Sequence, residues 1–322
     1  MSDPANAEVS APVQFAGFWR RLGALALDTI ILMLVGGVIC WVWTEQVVAL
    51  GSVGRWVGFG LALLYFGLLN SRIGQGQTLG KAALFIRVVG SDGGLISVRR
   101  AFARQVVLGL PFYMNGAWLP AAFHSALPWM MLGSVVVSGG ALATIYLYLF
   151  NRPSRRSLHD LATGTSVVSE ASPAEAPAMS PLRGGHRIAV GVLAAMASLG
   201  PLAFAHVLKT QPFVDLVAAA NALNADPSVQ ASGVSLRTLW TQGDATRREL
   251  VAVAQVKEAA DVNEGLARRL GGLVIASSSD ADNTPDLVIQ LRWGFDLGLV
   301  SWSKSQSFKI PEETKASSES AQ

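Results

Sequence analysis

Leu22-Gly-Ala-Leu-Ala-Leu-Asp28-Thr-Ile-Ile-Leu-Met-Leu-Val-Gly-Gly-Val-Ile-Cys-Trp-Val-Trp43 carries one charge, Asp28, in 22 residues. About 20 apolar residues cross a hydrocarbon core of about 30 Å as an α-helix, so this stretch reads as a membrane span. It is not read as a cleaved leader. Its apolar run exceeds the roughly 7 to 15 residues of an h-region, it holds an acid, and Trp41-Val-Trp43-Thr-Glu offers no small-residue cleavage site.

Four further stretches extend the pattern: Val53 to Asn70, with Arg55 at one end; Gln105 to Phe123, interrupted by Pro111 and Asn115; Leu127 to Phe150, without charge; and Ile188 to Leu208, with His206. Five spans are expected. Composition agrees, since the 322 residues are 15% charged, against roughly a quarter in soluble domains, and their mean hydropathy is +0.40. The deficit lies before Thr210: residues 1–209 carry 15 basic and 8 acidic groups, the remainder 10 and 14. A disordered chain and a wholly soluble globule are both excluded. The single cysteine, Cys40, excludes an intramolecular disulfide and a cysteine-based metal cluster.

Basic residues fix the orientation, because short cytoplasmic loops retain them. Arg20 and Arg21 precede the first span; Arg72, Lys81, Arg87, Arg99, Arg100 and Arg104 separate the second from the third; Arg152, Arg155, Arg156, Arg183 and Arg187 separate the fourth from the fifth. Only Arg55 and Lys209 fall on the other side. The N-terminus is expected inside and, with five spans, the region after Leu208 outside. Trp41, Trp43, Trp56, Trp118 and Trp129 would collect at the outer interface and Trp19 at the inner one.

Residues 169–186, rich in Ala, Pro and Ser, read as a flexible cytoplasmic linker, and residues 311–322 as a disordered tail. Between 209 and 310 the pattern predicts a small α+β domain with one layer of helices on one sheet. Its order is helix, hairpin, helix, hairpin: alternation from Val234 to Trp240, a turn at Gly243-Asp244, alternation from Glu249 to Lys257, a helix capped by Asp261 with Leu266, Leu270 and Val274 on one face, then strands from Leu287 to Trp293 and Leu299 to Ile310. The fold class is thus an all-α polytopic membrane domain followed by a small soluble α+β domain.

Asp28 is the sharpest candidate for chemistry, because an acid facing hydrocarbon costs about 3 kcal/mol on insertion scales. It reads either as a proton or cation site or as a hydrogen-bonded acid pinning helices together. Arg21, seven residues earlier, shares its helical face at about 10 Å along the axis. His159 and Asp160 read as a titratable pair at an inner mouth, or Asp160 as a partner of nearby Arg155 or Arg156. Gly74-Gln-Gly-Gln-Thr-Leu-Gly80-Lys81 lacks the first glycine and the hydroxyl residue of a phosphate loop. It reads instead as a turn into an amphipathic interfacial stretch from Lys81 to Arg104, with Ala83, Leu84, Ile86, Val88 and Val89 toward the acyl boundary.

His124, His159, His186 and His206 show no H-x-x-x-H spacing, and no G-x-S-x-G occurs. No enzyme activity, metal or cofactor is expected. Without aromatic interleaving the arginines read as membrane anchors, and no nucleic-acid partner is expected.

Three blocks, Ala16-Gly-Phe-Trp-Arg-Arg21 through Asp28, Gly76-Gln-Thr-Leu-Gly80-Lys81 with Ile86-Arg-Val-Val89, and Arg155-Arg-Ser-Leu-His159-Asp160-Leu-Ala-Thr-Gly164, together resemble the RDD family of bacterial membrane proteins over about residues 14–168. The family is named for an arginine and two aspartates, which map to Arg21, Asp28 and Asp160. The resemblance implies a bacterial inner-membrane module for which transport has been suggested and, for some members, cation/proton exchange. A small cation and a proton would then be the transported species, and five spans would call for a homo-oligomer to enclose a path. The region from 209 to 310 lies outside the family pattern. The alternative is therefore a membrane-anchored scaffold whose outer domain binds a protein or envelope partner.

Overall fold

The computed structural model describes residues 13–117, 126–152, 154–172, 176–177, 181–239, 247–277 and 286–310. The chain divides into two compact units, Met1–Val38 with Arg55–Pro201 and Leu297–Leu299, and Ile39–Gly54 with Leu202–Asp296 and Val300–Gln322.

Among the described residues, four helices are long and apolar enough to cross a membrane: Phe18–Val42, Gly51–Leu69, Leu127–Phe150 and Gly184–Val207. We label them α1 (Phe18–Val42), α3 (Gly54–Leu69, after a 3₁₀ turn), α6 (Leu127–Phe150) and α8 (Gly184–Val207). A short α2, Thr44–Ala49, joins the first two. On α1 the side chains of Ala24, Asp28 and Leu32 are buried, while Ile30, Leu34 and Val38 are exposed. The four-residue spacing of the buried set is that of one helical face turned inward.

The expected third span meets α5, Val98–Tyr113. This helix starts seven residues before the expected Gln105, because Ser97 caps it by accepting from the Arg100 amide at 3.3 Å. It lies antiparallel to α3 along that helix's length. Phe102 packs beside Gly67, Phe59 lies against Gly109, and the Arg55 guanidinium donates to the carbonyls of Phe112 and Asn115. Residues 118–125, the remainder of the expected span, lie outside the described residues. Helix α6 contains a π turn at Val135–Gly139. It packs on α8 through Ser134, whose hydroxyl donates to the Ala197 carbonyl at 2.7 Å, and through Tyr146, whose hydroxyl meets His186 Nδ1 at 3.0 Å.

The stretch from Lys81 to Arg104 departs from the interfacial placement expected of it. After α4 (Leu79–Ala83) it forms strand β1, Ile86–Val89, paired antiparallel with β2, Ser166–Ser169. Period-two alternation of Ile86, Arg87 and Val88 fits a strand better than a helix. Ile86, Val88 and Val89 are buried in a core with Ala16, Ala24, Ile96, Ala101 and Val167 rather than set at an acyl boundary. Phe15 bridges to Val168, and the Ala16 amide donates to Val167 at 2.9 Å, so the two ends of this module meet. Helix α7, Leu158–Thr163, precedes β2. Of the expected linker, residues 173–175 and 178–180 lie outside the described residues, and Gly184 already opens α8. The expected disordered tail also lies outside them.

The C-terminal region is the α+β domain expected. Helix α9 (Phe213–Asn224), strands β3 (Val229–Leu239) and β4 (Arg247–Val256), helix α10 (Glu264–Ala276), and strands β5 (Asp286–Asp296) and β6 (Ser301–Ile310) form a sheet ordered β3-β4-β5-β6. The outer pairs are antiparallel and β4-β5 is parallel. A parallel pair needs a long crossover, which α10 supplies. Leu223, Ala254, Leu270, Leu287, Ile289 and Leu291 are fully buried between helices and sheet. Asn263, not Asp261, caps α10, accepting from the Leu266 amide at 2.9 Å, while Asp261 ends a 3₁₀ turn. The expected turn at Gly243-Asp244 lies outside the described residues.

Ile289→Ala is expected to cost this domain about 2–5 kcal/mol through the cavity it leaves. Hydrogen exchange on the full chain should show faster exchange in β4 and β5 with α1 unchanged.

Candidate functional site: two buried carboxylates beside one cavity

Asp160 occupies the third position of α7 and completes a capping box with Ser157, whose amide donates to Asp160 Oδ2 at 3.3 Å. Its carboxylate is wholly buried. Arg21 from α1 donates through Nη2 to Oδ2 at 2.6 Å, and Arg104 from α5 through Nη2 to Oδ1 at 2.8 Å. Thr165 adds a hydroxyl at 3.2 Å. Arg21 also donates to the Arg155 carbonyl and lies over the Tyr148 ring, 5.3 Å from its centroid.

The expected pairing of Asp160 with its sequence neighbours gives way to long-range partners. The Arg156 Nε donates to the Thr165 carbonyl at 3.1 Å, and Arg155 lies over Phe18. Burial works to raise the Asp160 carboxyl, but its interactions with His159, Arg104 and Arg21, including the Arg104 hydrogen bond, outweigh burial and hold it well below its usual range. Burial pushes the His159 imidazole down to about 3, with Arg104 and Arg21 acting in the same direction and Asp160 against it. His159 is therefore neutral at physiological pH, and the guanidinium groups carry the pairing. His159 and Asp160 do not form a switch near neutrality.

Asp28 has a different environment. Its Oδ1 accepts from the Tyr65 hydroxyl at 2.7 Å and the Gly80 amide at 2.8 Å, and its Oδ2 accepts from Thr78 at 2.6 Å. Lys81 Nζ stands 4.0 Å from Oδ2, with its side chain 12% exposed. The glycine-rich motif that fails as a phosphate loop thus wraps a carboxylate belonging to its own chain. Thr78 caps α4, and an added Cβ at Gly80 would lie 2.3 Å from the Ala24 carbonyl oxygen. Burial lowers the Lys81 amine to about 7, with Arg104 and Arg21 assisting and Asp28 and Asp160 opposing.

Arg21, Asp28 and His159 line one cavity of about 630 Å³, together with Lys81 and Arg104, while Asp160 lies behind its wall. Arg21 and Asp28 therefore share a face, as their spacing implies, yet bind different partners. Tyr65, Thr78, Lys81 and Arg104 are the site residues that spacing alone did not single out. Arg104 reads as one more positive-inside charge, but it stands four residues after Arg100. Arg100 donates to the Thr163 and Gly164 carbonyls at 2.5 Å each, so this arginine face meets α7. Among the described residues, no group of three or more His, Cys, Asp or Glu is placed to hold a metal.

Residues 15–164 match the RDD family, and both carboxylate clusters are centred within that range. We call this matched stretch the RDD module. The match ends one residue beyond α7 and does not reach the C-terminal domain. The uncharacterized protein YckC of Bacillus subtilis is 29% identical over 160 residues, which is 50% of this chain and 87% of YckC. No solved structure matches the chain.

Gly80→Ala is expected to destabilise the RDD module by about 1–3 kcal/mol, as overpacking does. It should lower the unfolding temperature of the detergent-solubilised protein. Gly272→Ala, where an added methyl meets open space in α10, should leave it level or slightly raised.

Proposed function

We propose that this chain is a multi-pass protein of the bacterial cytoplasmic membrane that exchanges protons for a small cation, with Asp28 and Lys81 as the exchanging pair. The observation that carries this reading is a buried carboxylate facing two hydroxyls and one titratable amine. With Lys81 protonated, the pair is electrically neutral. When Lys81 releases its proton, the Asp28 charge is left without a counter-ion in an apolar setting, where isolated charges are costly. A small cation restores neutrality, taking Asp28 and the Tyr65 and Thr78 oxygens as ligands suited to hard ions. One proton leaves for each monovalent cation bound. Asp160, held by two guanidinium groups, keeps the framework and does not titrate.

The positive-inside pattern supports a cytoplasmic N-terminus. The course of α5 beside α3 is the observation that supports counting it as a fifth crossing, and on that count the proposed side for the C-terminal domain is extracytoplasmic.

In reconstituted vesicles, exchange should rise as pH passes about 7, since Lys81 must lose its proton for a cation to load. Asp28→Asn should abolish flux, and Lys81→Arg, whose charge stays fixed, should abolish its pH dependence and most of its rate. Wild-type flux from Asp28→Asn would refute the reading.

A further inference from the structure

The cavity beside the two carboxylates has two chemically distinct ends. Leu22 and Leu25 of α1, Phe112 of α5, and Ile145 and Leu149 of α6 line it and are exposed. All five belong to apolar helix faces, so the cavity reaches the surface that meets hydrocarbon. Its other end is polar. Gln105, Thr144 and His159 also line it, each more than nine-tenths buried, and Gln105 Oε1, Thr144 Oγ1 and His159 Nδ1 have no hydrogen-bond partner among the described residues. Buried polar atoms are ordinarily satisfied, and three exceptions around one cavity call for an occupant.

The chemistry of that occupant follows from the groups it would meet. His159 Nε2 stands 3.6 Å from Asp160 Oδ2. That proximity favours the tautomer with its proton on Nε2, which leaves Nδ1 as an acceptor. Gln105 Oε1 is an acceptor as well, and the Thr144 hydroxyl can act either way. The occupant must therefore bring hydrogen-bond donors. The charged groups facing the cavity are Arg21, Lys81 and Arg104 against Asp28, and Asp160 behind the wall offsets one guanidinium charge, so one positive charge is in excess while Lys81 is protonated. This favours a negative head over a positive one. A volume of about 630 Å³ lies within the usual range for ligand pockets.

We infer that the cavity binds a bilayer lipid with an anionic, hydroxyl-bearing head, as in phosphatidylglycerol. The acyl chain enters past Leu22, Phe112 and Ile145, the phosphate turns to the arginine side, and the head hydroxyls donate to Gln105 and His159. The inference does not depend on cation exchange, because lipid retention and flux are separate measurements.

The test is native mass spectrometry of the full chain, titrated with phosphatidylglycerol, phosphatidic acid and phosphatidylcholine of one acyl composition. The wild type should retain one phosphatidylglycerol about tenfold more tightly than phosphatidylcholine, the worth of one charge-assisted hydrogen bond. Phosphatidic acid, charged but lacking head hydroxyls, should fall between them. Leu108 of α5 also lines the cavity, and Leu108→Trp, which fills it, should lose the bound lipid. Gln105→Leu should keep the preference for charge and lose that for phosphatidylglycerol over phosphatidic acid. Equal retention of the three lipids by the wild type would overturn the inference. So would undiminished phosphatidylglycerol retention in Gln105→Leu, which decides the matter even where Leu108→Trp does not fold.

Discussion

The pairing of Arg21 and Arg104 with Asp160 is the constraint around which the RDD module is arranged. Each of the three side chains is buried, and each would be costly alone, because removing an ion from water is offset only by a well-placed partner. The three come from α1, α5 and α7, which are far apart in sequence, so satisfying one carboxylate fixes three helices at once. The same closure brings Phe15 and Ala16 to β2 and seats β1 beside them. What looks like an excess of positive charge beside the membrane is partly internal scaffolding.

With Asp160 committed, Asp28 is free to play a different part. Its donors are two hydroxyls and one amide, and an amine stands 4.0 Å away. The amine sits near neutrality because burial and two guanidinium groups oppose its charge. Asp160 is paired with guanidinium groups, whose charge is fixed, whereas Asp28 faces an amine whose charge changes near neutral pH. The two aspartates are therefore both buried but held by partners of different kinds.

Much of this architecture is legible in the sequence. The runs around Asp28 and from Leu127 to Phe150 announce helices by length alone, and the alternation after Val234 announces the sheet of the C-terminal domain. Arg21, Asp28 and Asp160 stand out as charges where charge is scarce. What sequence does not reveal is which charge meets which, because Arg21 and Asp160 are joined through folding across the whole module and helical spacing reports only local faces. Arg104 hides among loop arginines for the same reason. The strand at Ile86–Val89 is masked by flanking basic residues that mimic an interfacial stretch, and the cap of α10 shifts to Asn263 because a short turn occupies Asp261.

The most direct measurement of the central claim is a double-mutant cycle between Arg21 and Asp160, read as unfolding free energy of the detergent-solubilised protein. Arg21→Met and Asp160→Leu should each cost about 3–5 kcal/mol, since each leaves a buried charge unmatched. Together they should cost clearly less than the sum, with a coupling at the upper end of the roughly 0.5–3 kcal/mol range for interacting residues. Strict additivity of the two substitutions would contradict the account.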